Sequence, residues 1–201
     1  MNFPDDMVFH LSRIFVGEYE IGLNKAKPSV LDLGANVGAF AYWALVRWPD
    51  STVTCYEPLP SNFKLLSENL QVAGARCILN NCAVGKQDEA FRKLYLGKHN
   101  CGEGSFFQGH EQQSESVDVQ VVAASSIEYH DVVKIDVEGA EIEIIENLTF
   151  DPCVYLIEYH TVANKRKIEE LLADKYVLVE HRIYQIGTGI VKFVRADVLK
   201  Q

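Results

Sequence analysis

The chain is short of the features that mark specialised proteins. Its five cysteines, Cys55, Cys77, Cys82, Cys101 and Cys153, are odd in number and none shows C-x-x-C spacing. That argues against a disulfide framework or a zinc ribbon and points to reduced thiols in a cytoplasmic setting. No apolar run approaches the roughly 18–20 residues of a membrane span, so no membrane insertion is expected. Asp5 and Asp6 near the start are unlike a signal peptide. Basic residues are outnumbered, 19 Lys and Arg against 28 Asp and Glu, for a net charge of −9. Such a surface repels nucleic acid and anionic lipid, so neither is an expected partner. The G-x-G-x-x-G fingerprint is missing, which argues against a nicotinamide enzyme. Internal repeats and low-complexity tracts are missing too, and no motif sets an oligomeric state. What is present is an ordinary composition, 48% hydrophobic and 23% charged over 201 residues, which suits one soluble domain with a substantial core.

The stretch Val30-Leu31-Asp32-Leu33-Gly34-Ala35-Asn36-Val37-Gly38 organises the rest. Residues 29–33 read as a buried strand that stops at a glycine turn. Val37, Phe40, Ala41, Ala44 and Leu45 then recur at helical spacing over about 37–47. Gly34 and Gly38 would let the backbone turn tightly and approach a ligand. Asn36 reads as an N-cap, leaving helix-start N–H groups to cradle a carboxylate, a phosphate or a ribose-bearing ligand. Asp32, at the strand end, would receive a ligand ammonium or accept N–H bonds from its own turn.

Residues 1–28 read as a helical lead-in. After the first helix, 52–56 is a second strand ending at Glu57-Pro58, and Ser61 reads as the cap of a helix that ends near Gly74. Residues 77–79 are a third strand, completing a βαβαβ series and predicting a parallel sheet with right-handed crossovers. Residues 86–129 form a less regular, β-rich insertion around a polar loop from Gly97 to Gly104. Alternation then resumes: strand 132–137, helix 139–148, strand 154–159, charged helix 163–174, and an antiparallel pair, 176–183 with 190–194.

In an open α/β sheet, ligands bind beyond the carboxyl ends of the strands. Those ends carry Asp32, Glu57, Asn81, Asp136, and Glu158 with His160. Glu57 follows the glycine loop by some twenty residues, the place of an acidic side chain that accepts both hydroxyls of a ribose. Period 2 places Lys134, Asp136 and Glu138 on one side of an extended strand. Lys134–Asp136 then reads as an ion pair, with Glu138 and Glu141 either complementing the next helix's dipole or acting on a ligand. His160, beside Glu158 and Asp136, suits a general base for a hydroxyl. The same three could hold a divalent cation, but the expected site is metal-free. His10, His99, His110, His130 and His181 read as surface residues.

These strings resemble a known family. The glycine loop, Tyr56-Glu57-Pro58, Asn81-Cys82-Ala83-Val84-Gly85, Lys134-Ile135-Asp136-Val137-Glu138-Gly139-Ala140-Glu141 and Ile157-Glu158-Tyr159-His160 are similar to the FkbM-type S-adenosylmethionine-dependent methyltransferases. The resemblance implies a class I methyltransferase (Rossmann-like) α/β fold: a seven-stranded, mostly parallel sheet with an antiparallel last strand and helices on both faces. It implies S-adenosylmethionine as cofactor, with its methionine over Asp32, Gly34, Ala35, Asn36 and Gly38. The ribose would lie on Glu57 and Pro58, the adenine near Asn81, Cys82 and Ala83, and Asp136 beside the methyl. It also implies O-methylation of a sugar or small natural product, a small-molecule or glycan acceptor, with His160, Asp136 and Glu158 catalytic. A metal-assisted O-methyltransferase, a protein or amine acceptor, and a non-catalytic cofactor-binding module are the alternatives.

Overall fold

A computed structural model describes residues 12–96, 104–105 and 115–200. Seven strands make the main sheet: β1 (Ser29–Leu33), β2 (Thr52–Tyr56), β3 (Cys77–Asn80), β8 (Val132–Ile135), β9 (Val154–Tyr159), β10 (Tyr176–Gln185) and β11 (Thr188–Arg195). Their order is β10-β11-β9-β8-β1-β2-β3, and only β11 runs antiparallel to its neighbours. The remaining strands, β4 (Ala83–Gly85), β5 (Glu89–Leu96), β6 (Gly104–Ser105) and β7 (Ser116–Ala123), form a smaller sheet ordered β4-β7-β5-β6. The expected insertion is therefore a second sheet, begun by the Ala83–Gly85 strand that leads into it.

The central strands are apolar on both faces because both faces are covered. Register puts Val30, Val132 and Val154 side by side, and Leu31, Val133 and Tyr155 side by side one residue on. The first row packs against helices α1 (Ala39–Arg47) and α2 (Pro60–Leu70). The second packs with Ile144 of α3 (Glu141–Asn147) and with Ile168 and Leu172 of α4 (Val162–Leu172). Among the described residues no helix is long and apolar enough to cross a membrane.

Several local expectations change. Asn36 does not cap α1; Gly38 does, in a left-handed conformation at φ 90°. Ser61 is not a cap either, because α2 starts one residue earlier at Pro60, whose fixed φ suits a first helical position. Strand β8 stops at Ile135 and α3 starts at Glu141, since Glu138 (φ 54°) and Gly139 (φ 112°) are both left-handed and break the extended run. His130 is buried rather than on the surface, with its ring nitrogens 2.8 Å from the Glu128 carbonyl and 3.0 Å from Thr54 Oγ1. His10, His99, His110, Cys101 and most of the 97–114 loop lie outside the described residues.

Candidate active site

A cavity of about 580 Å³ opens over the carboxyl ends of β1, β2, β8 and β9. The β1–α1 loop contributes Gly34 to Val37, and the β2 end contributes Tyr56 to Leu59. Ala83, Val84 and Leu94 face in from the second sheet. Asp136, Glu138, Glu158 and His160 complete the lining together with Arg13, Glu18 and Tyr184. Sequence spacing pointed to none of the last three. Arg13 and Glu18 flank a π-helical turn in the lead-in, and Tyr184 sits far along the chain in β10. The Arg13 guanidinium pairs with Glu18 and lies 3.4 Å from the centre of the Tyr184 ring.

The glycine loop is built for its own fold as much as for a ligand. The amides of Gly34 and Ala35 both donate to the Tyr56 carbonyl at 3.0 Å, Asn36 N–H donates to Glu57 Oε2 at 2.8 Å, and Gly38 N–H donates to the Ala35 carbonyl. Four amides of the loop are thus already engaged. Gly34 is required because a Cβ there would lie 1.8 Å from the Asp136 carbonyl oxygen, so two site loops touch at that point. Gly38 does not line the cavity; a Cβ there would meet Leu66 of α2 at 2.9 Å. Its need for glycine comes first from its left-handed φ of 90° and then from helix packing.

Glu57 is where the sequence expects it. It is 4% exposed, faces the cavity, and accepts N–H bonds from Asn36 and Leu59. Burial pushes its carboxyl up to about 7 despite those donors. Asn81 is outside the cavity lining and clamps the turn instead, donating to the backbone oxygens of Glu57 and Pro58 at 2.8 and 3.2 Å. Cys82 is buried behind the lining, and Ala83 is on it. Asp32 is also withdrawn from the cavity. It is fully buried, 3.2 Å from Lys134 Nζ, which stands 3.4 Å from Asp136 and donates to the Gly34 carbonyl at 2.7 Å. Burial disfavours a charged lysine there, but Asp32 and Asp136 outweigh it and hold the ammonium protonated. Lys134 therefore fastens β1, β8 and the glycine loop together.

His160 sits just past β9 and does not pair with Glu158. Its Nδ1 is 3.0 Å from Oε1 of the fully buried Glu141, and its Nε2 is 3.2 Å from Glu138 and 3.9 Å from Asp136. Both ring nitrogens are engaged by carboxylates. Burial works against the charged ring, yet the bonds to Glu138 and Glu141 prevail and raise it to about 11. His160 therefore faces Glu138 and Glu141 rather than Glu158. Glu158, lining the same wall, receives no hydrogen bond among the described residues and is pushed upward by burial and then by Asp136.

Residues 32–185 match the model of the methyltransferase FkbM domain. The chain belongs to that family. The FkbM methyltransferase described here is 22% identical to Methyltransferase 1 of Beauveria bassiana over 170 residues, 71% of this chain and 68% of that one. It is 26% identical to Methyltransferase sdnD of Sordaria araneosa over 205 residues, covering 78% and 76%. The crystal structure of Methyltransferase FkbM from Methylobacillus flagellatus KT superposes with a TM-score of 0.63 at 14% identity, covering 91% of this chain and 47% of that one. The likeness establishes the class I fold, and the chain spans about half the length of that bacterial protein. The family's donor is S-adenosylmethionine, and the residues present fit it. Glu57 offers a buried carboxylate to the ribose hydroxyls, Tyr56, Ala83 and Leu94 offer an apolar wall to a flat base, and the carboxyls beyond Lys134 suit a cationic sulfonium.

Proposed function

We propose that this FkbM methyltransferase methylates a hydroxyl oxygen on a sugar or small natural product. The observation that carries the reading is Glu158: a partly buried carboxyl on the cavity wall, without a hydrogen-bond donor among the described residues. Amine acceptors need no such group once deprotonated, whereas a hydroxyl must lose its proton as it attacks.

When bound, S-adenosylmethionine supplies a methyl group already activated on positively charged sulfur. The chain's own work is then positioning and proton handling. Glu57 with the 34–37 loop would fix the nucleoside half, while Lys134 holds Asp136 at the junction of the two halves. Arg13, Tyr184, Gln185 and Thr188 form a polar, ring-bearing wall suited to a hydroxylated acceptor. Glu158 would take the hydroxyl proton as the new O–CH₃ bond forms and the S–CH₃ bond breaks, leaving S-adenosylhomocysteine and one proton as the other products.

The test pairs an acceptor panel with one substitution. Glycosides and phenols should be methylated, amines and peptides should not. Glu158→Gln should lower kcat by roughly 100-fold, the lower range for a lost general base, while S-adenosylhomocysteine affinity stays the same. Turnover on amines alone would overturn the hydroxyl reading, and an unchanged kcat would remove the role of Glu158.

A further inference from the structure

We propose that Asp136, Glu138 and His160 form a divalent-cation site at the acceptor end of the cavity, suited to Mg²⁺ or Mn²⁺. One donor atom from each residue lies within 4.8 Å of the others, and all three residues line the cavity. The separations are close to those of a bound ion. Ligands held at about 2.1 Å in adjacent octahedral positions stand roughly 3 Å apart, and His160 Nε2 is 3.2 Å from Glu138 Oε2 and 3.9 Å from Asp136 Oδ1. The remaining pair, Asp136 with Glu138, lies within 4.8 Å, so the carboxylates must draw in around an ion while the ring stays in place.

Two further features point to a cation. The first is the partner of the ring's other nitrogen. Metal-binding histidines commonly donate their second N–H to a carboxylate, which fixes the tautomer and aims the other nitrogen at the ion. Glu141 does this for His160 at 3.0 Å, and Glu141 is itself fully buried and held by the Gly139 amide at 2.8 Å. The other nitrogen, Nε2, faces Glu138 at 3.2 Å, and an ion would take the place of the proton between them. The second is charge. Asp136, Glu138 and Glu141 all face His160, more carboxylates than the one ring balances. Two carboxylates and one imidazole, with no thiolate among them, make a mixed O/N donor set that accepts Mn²⁺, and Mg²⁺ through the carboxylates.

Three protein ligands leave the remaining coordination positions to water and acceptor oxygens. Resting on the hydroxyl-acceptor reading above, the ion would take two neighbouring oxygens of the acceptor, which selects vicinal diols and catechol-like groups. It would also acidify the hydroxyl that Glu158 deprotonates.

The decisive experiment is Mn²⁺ titration of the full chain, stripped with chelator, followed by the electron paramagnetic resonance signal of the free ion. We expect one Mn²⁺ per chain, displaced by Mg²⁺. Asp136→Asn and Glu138→Gln should each abolish or strongly weaken binding, and Glu141→Gln should weaken it on the order of 10–100-fold. No bound Mn²⁺ at millimolar concentration overturns the proposal, as does binding that survives both Asp136→Asn and Glu138→Gln. S-adenosylhomocysteine titration of the same samples separates the two questions. Nucleoside binding without metal sinks only the cation site, and metal binding without nucleoside sinks only the methyltransferase reading. Thermal melts of each variant identify one that has not folded, in which case the wild-type stoichiometry and the remaining variants decide.

Discussion

At the scale of single residues, Glu57 makes the sharpest prediction. Burial raises its carboxyl from an ordinary value of 4.5 to about 7, so it holds its proton to higher pH in the folded, ligand-free protein than in the unfolded chain. A raised acid contributes stability that is fully present below about 4.5 and is lost as pH rises through about 7. The shift corresponds to at most about 3 kcal/mol. Chemical denaturation between pH 5 and 8 should therefore show a decline in stability that Glu57→Gln flattens, with Lys134 and Asp32 the charged neighbours that modulate it. S-adenosylhomocysteine should bind more tightly as pH rises over the same interval, because the ionised carboxyl accepts from both ribose hydroxyls; a slope identical in Glu57→Gln would assign the effect elsewhere. Gly34→Ala is the second residue-scale test. With φ at 76° and the Asp136 carbonyl oxygen 1.8 Å from the added carbon, the loop must move. The expected outcome is a lower melting temperature together with lost cofactor affinity, since the same movement displaces Asn36 from Glu57.

At the scale of elements, Lys134 is the fastener. Lys134→Met leaves Asp32 buried and uncompensated and should cost about 3–5 kcal/mol, the usual penalty for breaking a buried pair. Adding Asp32→Asn should recover part of that loss, which urea denaturation of the two variants would show; no recovery would mean that the bond to the Gly34 carbonyl matters more than the ion pair. The elements also show how far the sequence could be read. Strands β1, β8 and β9 were legible because helices cover both of their faces, and that burial writes itself as apolar runs interrupted only by Asp32, Lys134 and Glu158. Glu57, Asp136, Glu158 and His160 were legible as strand-end polar residues for the same reason. The partners of His160 were not. Alternation along an extended strand pairs it with Glu158, whereas two left-handed residues at 138 and 139 swing the β8–α3 loop so that Glu138 and Glu141 reach the ring instead. The glycine loop misled in a similar way: that its amides are spent on Tyr56 and Glu57 depends on how β1 lies beside β2, which no spacing within the loop records. Arg13 and Tyr184 meet only in three dimensions.

At the scale of the whole molecule, the cavity is where separately folded parts converge. The main sheet, the second sheet through Ala83, Val84 and Leu94, and the lead-in with β10 all contribute to its lining. A ligand that spans this space ties both sheets together and should stabilise the chain globally. At a concentration 100 times its Kd, S-adenosylhomocysteine would add about 2.7 kcal/mol, or roughly 5–10 °C in melting temperature for a domain of this size. Glu57→Ala should remove most of that rise. Amide hydrogen exchange would locate the effect, and the expected pattern is joint protection of residues 34–37 and 57–59 in the main sheet's loops and of the Ala83–Gly85 strand in the second sheet. Protection confined to the main sheet would detach the second sheet from cofactor binding and leave it to the acceptor alone. Protection of both, with residues 136–138 responding only when Mn²⁺ is added, would divide the cavity into a nucleoside half built from Glu57 and an acceptor half built around the cation.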